Sequence, residues 1–233
     1  MRACAVALLA LSLLPTAAFA QETRQPPAVS VTGEGVVAAA PDRAVVTSGV
    51  VTRAPTAGAA LAANAAAMTK VLAALKAAKI EDRDVATSAL GLQPQYEYGD
   101  GRAPKLVAYE ARNAVTIRVR DLDRLGALLD QMVQAGSNQL ESLVFEVSDA
   151  DKRLDEARKT AVADARRKAE LYADAAGAKL GEVLSIDESG GGAEAPIRPQ
   201  AMRVKAMDAA PTPVAAGEQE LRVEVQVRWS IAR

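Results

Sequence analysis

The chain has 233 residues, no histidine, one cysteine, 3% aromatic residues and a formal net charge of −1. The missing histidine removes the most common general base, the usual zinc ligand and any Ser-His-Asp triad. Charges of both signs are interleaved along the chain, so there is no basic field of the kind nucleic acid or anionic lipid requires.

Residues 1–20 read as a cleavable secretion signal. Arg2 gives a short basic start, residues 5–14 an apolar run, Pro15 a break, and Ala18-Phe19-Ala20 the small residues a signal peptidase reads. The run is too short to span a bilayer as a stable helix. Cleavage is expected between Ala20 and Gln21, which places the mature chain in the periplasm or outside the cell. Cys4 precedes the apolar run and is not placed for lipid attachment; its removal leaves a chain that forms no disulfide and relies on its core. About 213 residues bury enough surface for that. No later segment reads as a continuous apolar membrane span.

Residues 21–28, with Pro26 and Pro27, read as a disordered lead, and residues 29–233 as one continuous domain. Strand signals start at Val29 and Val31 and resume at Val36 and Val37 after Gly33-Glu34-Gly35. That tripeptide lacks the third glycine and the following helix of a dinucleotide fingerprint, and reads as a strand bulge or turn. Pro41-Asp42 is a turn pair and residues 44–51 are β-branched, so the two strands predict an antiparallel hairpin. Pro55 sits near the start of a helix over 56–78, whose stripe is Leu61, Ala65, Met68, Leu72 and Leu75. Glu81-Asp82-Arg83-Asp84 reads as a solvated turn. Strands over 85–98 and 106–119 flank a loop at 99–104; Val115, Ile117 and Val119 alternate with polar residues.

Asp121 or Asp123 can cap the next helix, with Leu122, Leu125, Leu128, Leu129, Met132 and Val133 apolar and Gly136 at its end. Residues 140–147 follow as a strand, and Ser148 or Asp149 opens the longest helix, to about 176. Its stripe is narrow: Leu154, Ala157, Ala161, Ala165, Ala169 or Lys168, and Tyr172. Alanines of this kind let a helix lie close to its support. Residues 180–186 form a short strand. Residues 187–218, with Gly190-Gly191-Gly192 and no sustained period, read as a flexible insertion that is functional or mobile. The clearest strand is the last, where Leu221, Val223, Val225, Val227, Trp229 and Ile231 alternate with polar residues. The order ββαββαβαββ predicts an α+β fold with a mixed, largely antiparallel sheet and packed helices, and hints at a repeated ββα unit.

For chemistry, paired carboxylates or a Ser–Lys pair remain. Asp149 with Asp151, or Asp187 with Glu188, are oxygen donors of the kind calcium takes. Asp149 and Asp151, however, precede a helix, where carboxylates are favoured by the dipole. The charges from Lys152 to Glu170 read as the solvated face of a long helix. No catalytic residue, cofactor site or metal site is assigned, and the chain is expected not to be an enzyme.

Several separated segments share one resemblance. Val31-Thr32-Gly33-Glu34-Gly35 with Pro41-Asp42, residues 161–172 (AVADARRKAELY) ending in Ala176-Gly177, Leu180-Gly181-Glu182-Val183, and Gly217-Glu218 leading into the final strand resemble the SIMPL-domain family. The resemblance covers residues 28–233 and implies an exported bacterial envelope protein without an established activity. It further implies immunogenic antigens, a link to oxidative-stress tolerance and ring-like oligomers among members, and offers no catalytic residues. The expectation is a self-assembling, non-catalytic envelope protein, with Met202, Val204 and Met207 as apolar oligomer contacts. The alternative is a periplasmic binding module for a small molecule or peptide, with 187–218 as its lid.

Overall fold

The computed structural model describes residues 26–99, 103–189 and 212–232. Its elements are β1 (Ala28–Ala39), β2 (Arg43–Ala54), α1 (Ala57–Ala77), β3 (Val85–Glu97), β4 (Lys105–Val119), α2 (Leu125–Ala135), β5 (Gln139–Glu146), α3 (Ala150–Ala175), β6 (Lys179–Ser189) and β7 (Gln219–Ala232). The fold is α+β in the expected order, and every strand pair among the described residues is antiparallel.

The strands make two sheets. One has the order β1-β7-β6 and the other β3-β4-β2-β5. The expected β1–β2 hairpin does not form. β1 pairs with β7 at the far end of the chain, Ala28 opposite Ser230, while β2 pairs with β4 and β5. The reason lies at Pro41-Asp42. Proline has no N–H to give, and the Asp42 N–H bonds Glu146 O on β5 while the Asp42 carboxylate takes the Ser148 N–H at 2.9 Å and its hydroxyl. The turn therefore hands the chain from one sheet to the other. The hinted ββα repeat fails for the same reason, since β3 and β4 pair with each other while β1 and β2 do not.

Each sheet has its own core. α1 and α2 cover the four-stranded sheet through Met68, Val71, Leu75, Leu125, Leu128, Leu129 and Met132 over Val46, Val50, Val115 and Ile117. α1 is 21 residues and holds a stretch of mean hydropathy 1.4, long and apolar enough by composition alone to cross a membrane. Here it is a sheet-packing helix, and its buried line is Ala60, Asn64, Met68, Val71 and Leu75. That line is rotated from the expected stripe, leaving Leu61 and Leu72 exposed. Asn64 is what turns it: buried, it donates to Val50 O at 2.8 Å and Ala111 O at 3.0 Å on adjacent strands. A polar residue on the buried line carries no apolar signal, so periodicity alone points to its neighbours.

α3 covers the three-stranded sheet with Ala157, Ala161, Ala165, Ala169 and Ala173, the expected line except at its end, where Tyr172 is exposed. Gly33 and Gly35 lie in a regular strand rather than a bulge or turn. A β-carbon on Gly33 would stand 2.0 Å from Ala161 O, and one on Gly35 1.9 Å from Ala157 O. The two glycines and the alanine line are thus halves of one contact, helix backbone against strand backbone. It is pinned at the free edge of β1: Asp164 accepts the Glu34 N–H at 3.1 Å and Lys168 donates to Thr32 O at 3.0 Å.

β6 runs to Ser189, with Asp187, Glu188 and Ser189 opposite Gln226, Val225 and Glu224, so the strand outlasts its expected end at 186. Residues 212–218 return over the other unit. Thr212 bonds Asp130 through N–H (3.2 Å) and hydroxyl (2.6 Å), and Val214 packs on the α1/α2 core.

Candidate functional site

Ala20, Gln21, Met202, Val204 and Met207 lie outside the described residues. In each pair of carboxylates weighed as calcium donors, one member is engaged elsewhere. Asp149 lies 3.2 Å from Arg153 across one helical turn, and Glu188 accepts from Arg158 at 3.0 Å. Neither Asp149 nor Asp121 caps its helix through the side chain. Among the described residues no three His, Cys, Asp or Glu side chains gather to hold a metal.

Two features remain. The first is a pocket of about 220 Å³ where the end of α1, the end of β4 and the start of α2 meet. Its apolar wall is Ile80, Val119 and Leu128, and its charged rim is Lys79, Arg118, Arg120 and Arg124 with Glu81, Asp84 and Asp121. Asp84 is not the solvated turn residue expected from its neighbours. It is buried at the end of a short 3₁₀ turn, Asp82–Asp84, and accepts two bonds from Arg120, at 3.0 and 2.8 Å. Those bonds, aided by the Arg118 and Arg83 charges, hold its carboxyl below the usual range. Glu81 is paired with Arg83 at 2.8 Å.

The second feature is one outer strand of each sheet, β3 and β6. α1 and α2 leave most of β3 exposed, and α3 most of β6, with only Val85 and Leu180 packed on the two cores and Arg158 reaching Glu188. On β3, Leu90 is 67% exposed and Leu92 lies beside it on the face that carries α1; on β6, Ile186 is 53% exposed with Val183 on the face that carries α3. The β3–β4 hairpin extends this surface with Tyr96, Leu106 and Val107, and just past β3 Tyr98 is 77% exposed. Sequence patterning shows these residues as strand apolars but not as exposed ones, because alternation cannot tell a covered strand from one beyond the helices' reach.

Comparison with known proteins connects these features to a family. A 26 kDa periplasmic immunogenic protein of Brucella melitensis is 42% identical over 225 residues, covering 92% of this chain and 90% of that one. The uncharacterized protein YggE of Escherichia coli is 32% identical over 182 residues, 78% of this chain and 74% of that one. YggE of Edwardsiella ictaluri is 30% identical over 180 residues, 77% and 75% of the two chains. The SIMPL model, described as a protein of unknown function (DUF541), matches residues 29–229. That match takes in both sheets, the glycine strand β1 and the alanine helix α3 that docks on it, so the chain belongs to the SIMPL family.

Proposed function

We propose that this chain is an exported, periplasmic, non-catalytic envelope protein that works as a homo-oligomer. The observation that carries the reading is a pair of largely exposed outer strands, β3 and β6. Leu90 and Leu92 on β3 and Val183 and Ile186 on β6 stand in water on the faces that the helices otherwise bury. Outer strands present free backbone groups as well as these side chains, and native chains blunt or cover such edges. A second copy offers apolar side chains and unpaired edge groups of the same kind, so one interface covers both at once. The Brucella relative's periplasmic name supports the compartment.

Light scattering on the chain from Gln21 onward tests the assembly. The expected mass is a multiple of the monomer's, reduced by Leu90→Lys together with Ile186→Lys. A wild-type monomer at micromolar concentration overturns it. The link to oxidative-stress tolerance, implied by the family resemblance, belongs to the same proposal. It predicts that loss of the protein lowers peroxide survival and that the dissociating double variant does not restore it.

A further inference from the structure

The three α-helices among the described residues end in the same way. In α1 the Ile80 N–H bonds Leu75 O and the Lys79 N–H bonds Lys76 O; in α2 Ser137 and Gly136 bond Met132 O and Val133 O; in α3 Ala178 and Gly177 bond Ala173 O and Asp174 O. This closing turn needs a positive φ at one residue, which glycine adopts at least cost. α2 and α3 put Gly136 and Gly177 there, at φ 117° and 67°; α1 puts Lys79 there, at 63°. Lys79 is the only positive-φ residue among the described ones that is not glycine. A side chain is kept where its absence would stabilise the turn, and that side chain lines the 220 Å³ pocket.

A second position on the same rim breaks a local rule. Arg124 stands at the N-cap of α2 and makes no capping bond, where Ser, Thr, Asp or Asn is favoured. A cation at that end also opposes the helix dipole. Arg118, on β4, is a further cation of the rim. Glu81 and Asp84 are bonded to Arg83 and Arg120, and Asp121 is the remaining carboxylate on a rim that also holds Lys79, Arg118 and Arg124. None of the three side chains forms a hydrogen bond or ion pair among the described residues. The wall between them is apolar.

We infer that this pocket binds a small organic anion, its carboxylate or phosphoryl group held by Lys79, Arg118 and Arg124 and its short apolar body set against Ile80, Val119 and Leu128. The volume suits a body of a few carbons and is below the roughly 300 Å³ at which pockets for larger ligands begin. The inference does not depend on assembly: the rim comes from a single chain.

The test is calorimetric titration and thermal melting at fixed ionic strength with butanoate, 1-butanol and inorganic phosphate. Butanoate is expected to bind and raise the melting temperature, phosphate to compete with it, and 1-butanol to do neither. Lys79→Gly is expected to split two effects. It raises the melting temperature of the free protein by about 2 °C, because glycine relieves the turn, and weakens butanoate about tenfold, the equivalent of one lost charge contact. Arg124→Gln is expected to weaken butanoate similarly. Equal butanoate affinity in wild type and both variants overturns the site. So does a response to 1-butanol matching that to butanoate, or no butanoate binding at millimolar concentration.

Discussion

Gly33 and Gly35 show how much one hydrogen atom decides. In most strands, glycine to alanine is neutral or helpful, because glycine gives the unfolded chain extra freedom. Here the added methyl meets the α3 backbone at 2.0 and 1.9 Å, which no rotamer relieves. Gly33→Ala is expected to destabilise the protein by about 3 kcal/mol, since the helix must lift off its strand. Gly91→Ala, where a β-carbon has open space, is the control. Urea midpoints of the two variants check this, and equal midpoints refute the close-docking account. Asn64→Leu is expected to cost about 2 kcal/mol by leaving Val50 O and Ala111 O without their donor. Residues such as these were the least legible in the sequence. Gly33-Glu34-Gly35 reads as a strand bulge or turn and Asn64 carries no apolar signal, and each owes its place to a partner on another element.

At the scale of elements, order and type were legible but partnership was not. Period-two alternation in β7 and the alanine line of α3 follow from local geometry, which the sequence carries in full. Which strand β1 meets is a question of long-range pairing, and a turn pair such as Pro41-Asp42 marks only that the chain changes course. The α3–β1 dock makes a prediction at this scale. Lys168, Arg167 and the Glu34 N–H hold the Asp164 carboxyl well below the usual range. Asp42, through Ser148, and Asp84, through Arg120, are lowered as well. A carboxyl lowered by folding binds protons more readily in the unfolded chain. Its contribution is therefore complete above the ordinary carboxylate range, about pH 4, and is lost as pH falls through that range and below. Asp164→Asn is expected to lower stability at neutral pH and to flatten the acid branch of the stability profile. Urea midpoints measured from neutral to acid pH read both effects, and an unchanged acid slope removes Asp164 from the account.

At the scale of the molecule, the chain is a small sheet built from its two ends with a second unit inserted between them. β1, α3, β6 and β7 make the first; β2, α1, β3, β4, α2 and β5 lie between β1 and α3 and make the second. The two hydrophobic clusters share no residue. Entry and exit of the inserted unit are fastened together, since Asp42 bonds both Glu146 and Ser148. A unit whose ends already meet costs little extra entropy to close when cut free. A fragment of residues 40–149 is therefore expected to fold alone, with the helix content of α1 and α2 and one cooperative urea transition. It is expected to be less stable than the same unit in the whole chain, because Val214 no longer packs on its core and Gln219 no longer donates to Phe145 O at 2.7 Å. Adding a peptide of residues 212–219 in excess should recover part of that loss, as binding to the folded state must. The complementary experiment separates the units from the other side. Removing residues 219–233 takes the central strand from the β1-β7-β6 sheet and leaves β1 and β6 without a partner. The truncated chain is expected to lose the signature of α3 in circular dichroism while retaining the transition of the inserted unit. A truncated chain with no transition left would show that the two cores fold only together.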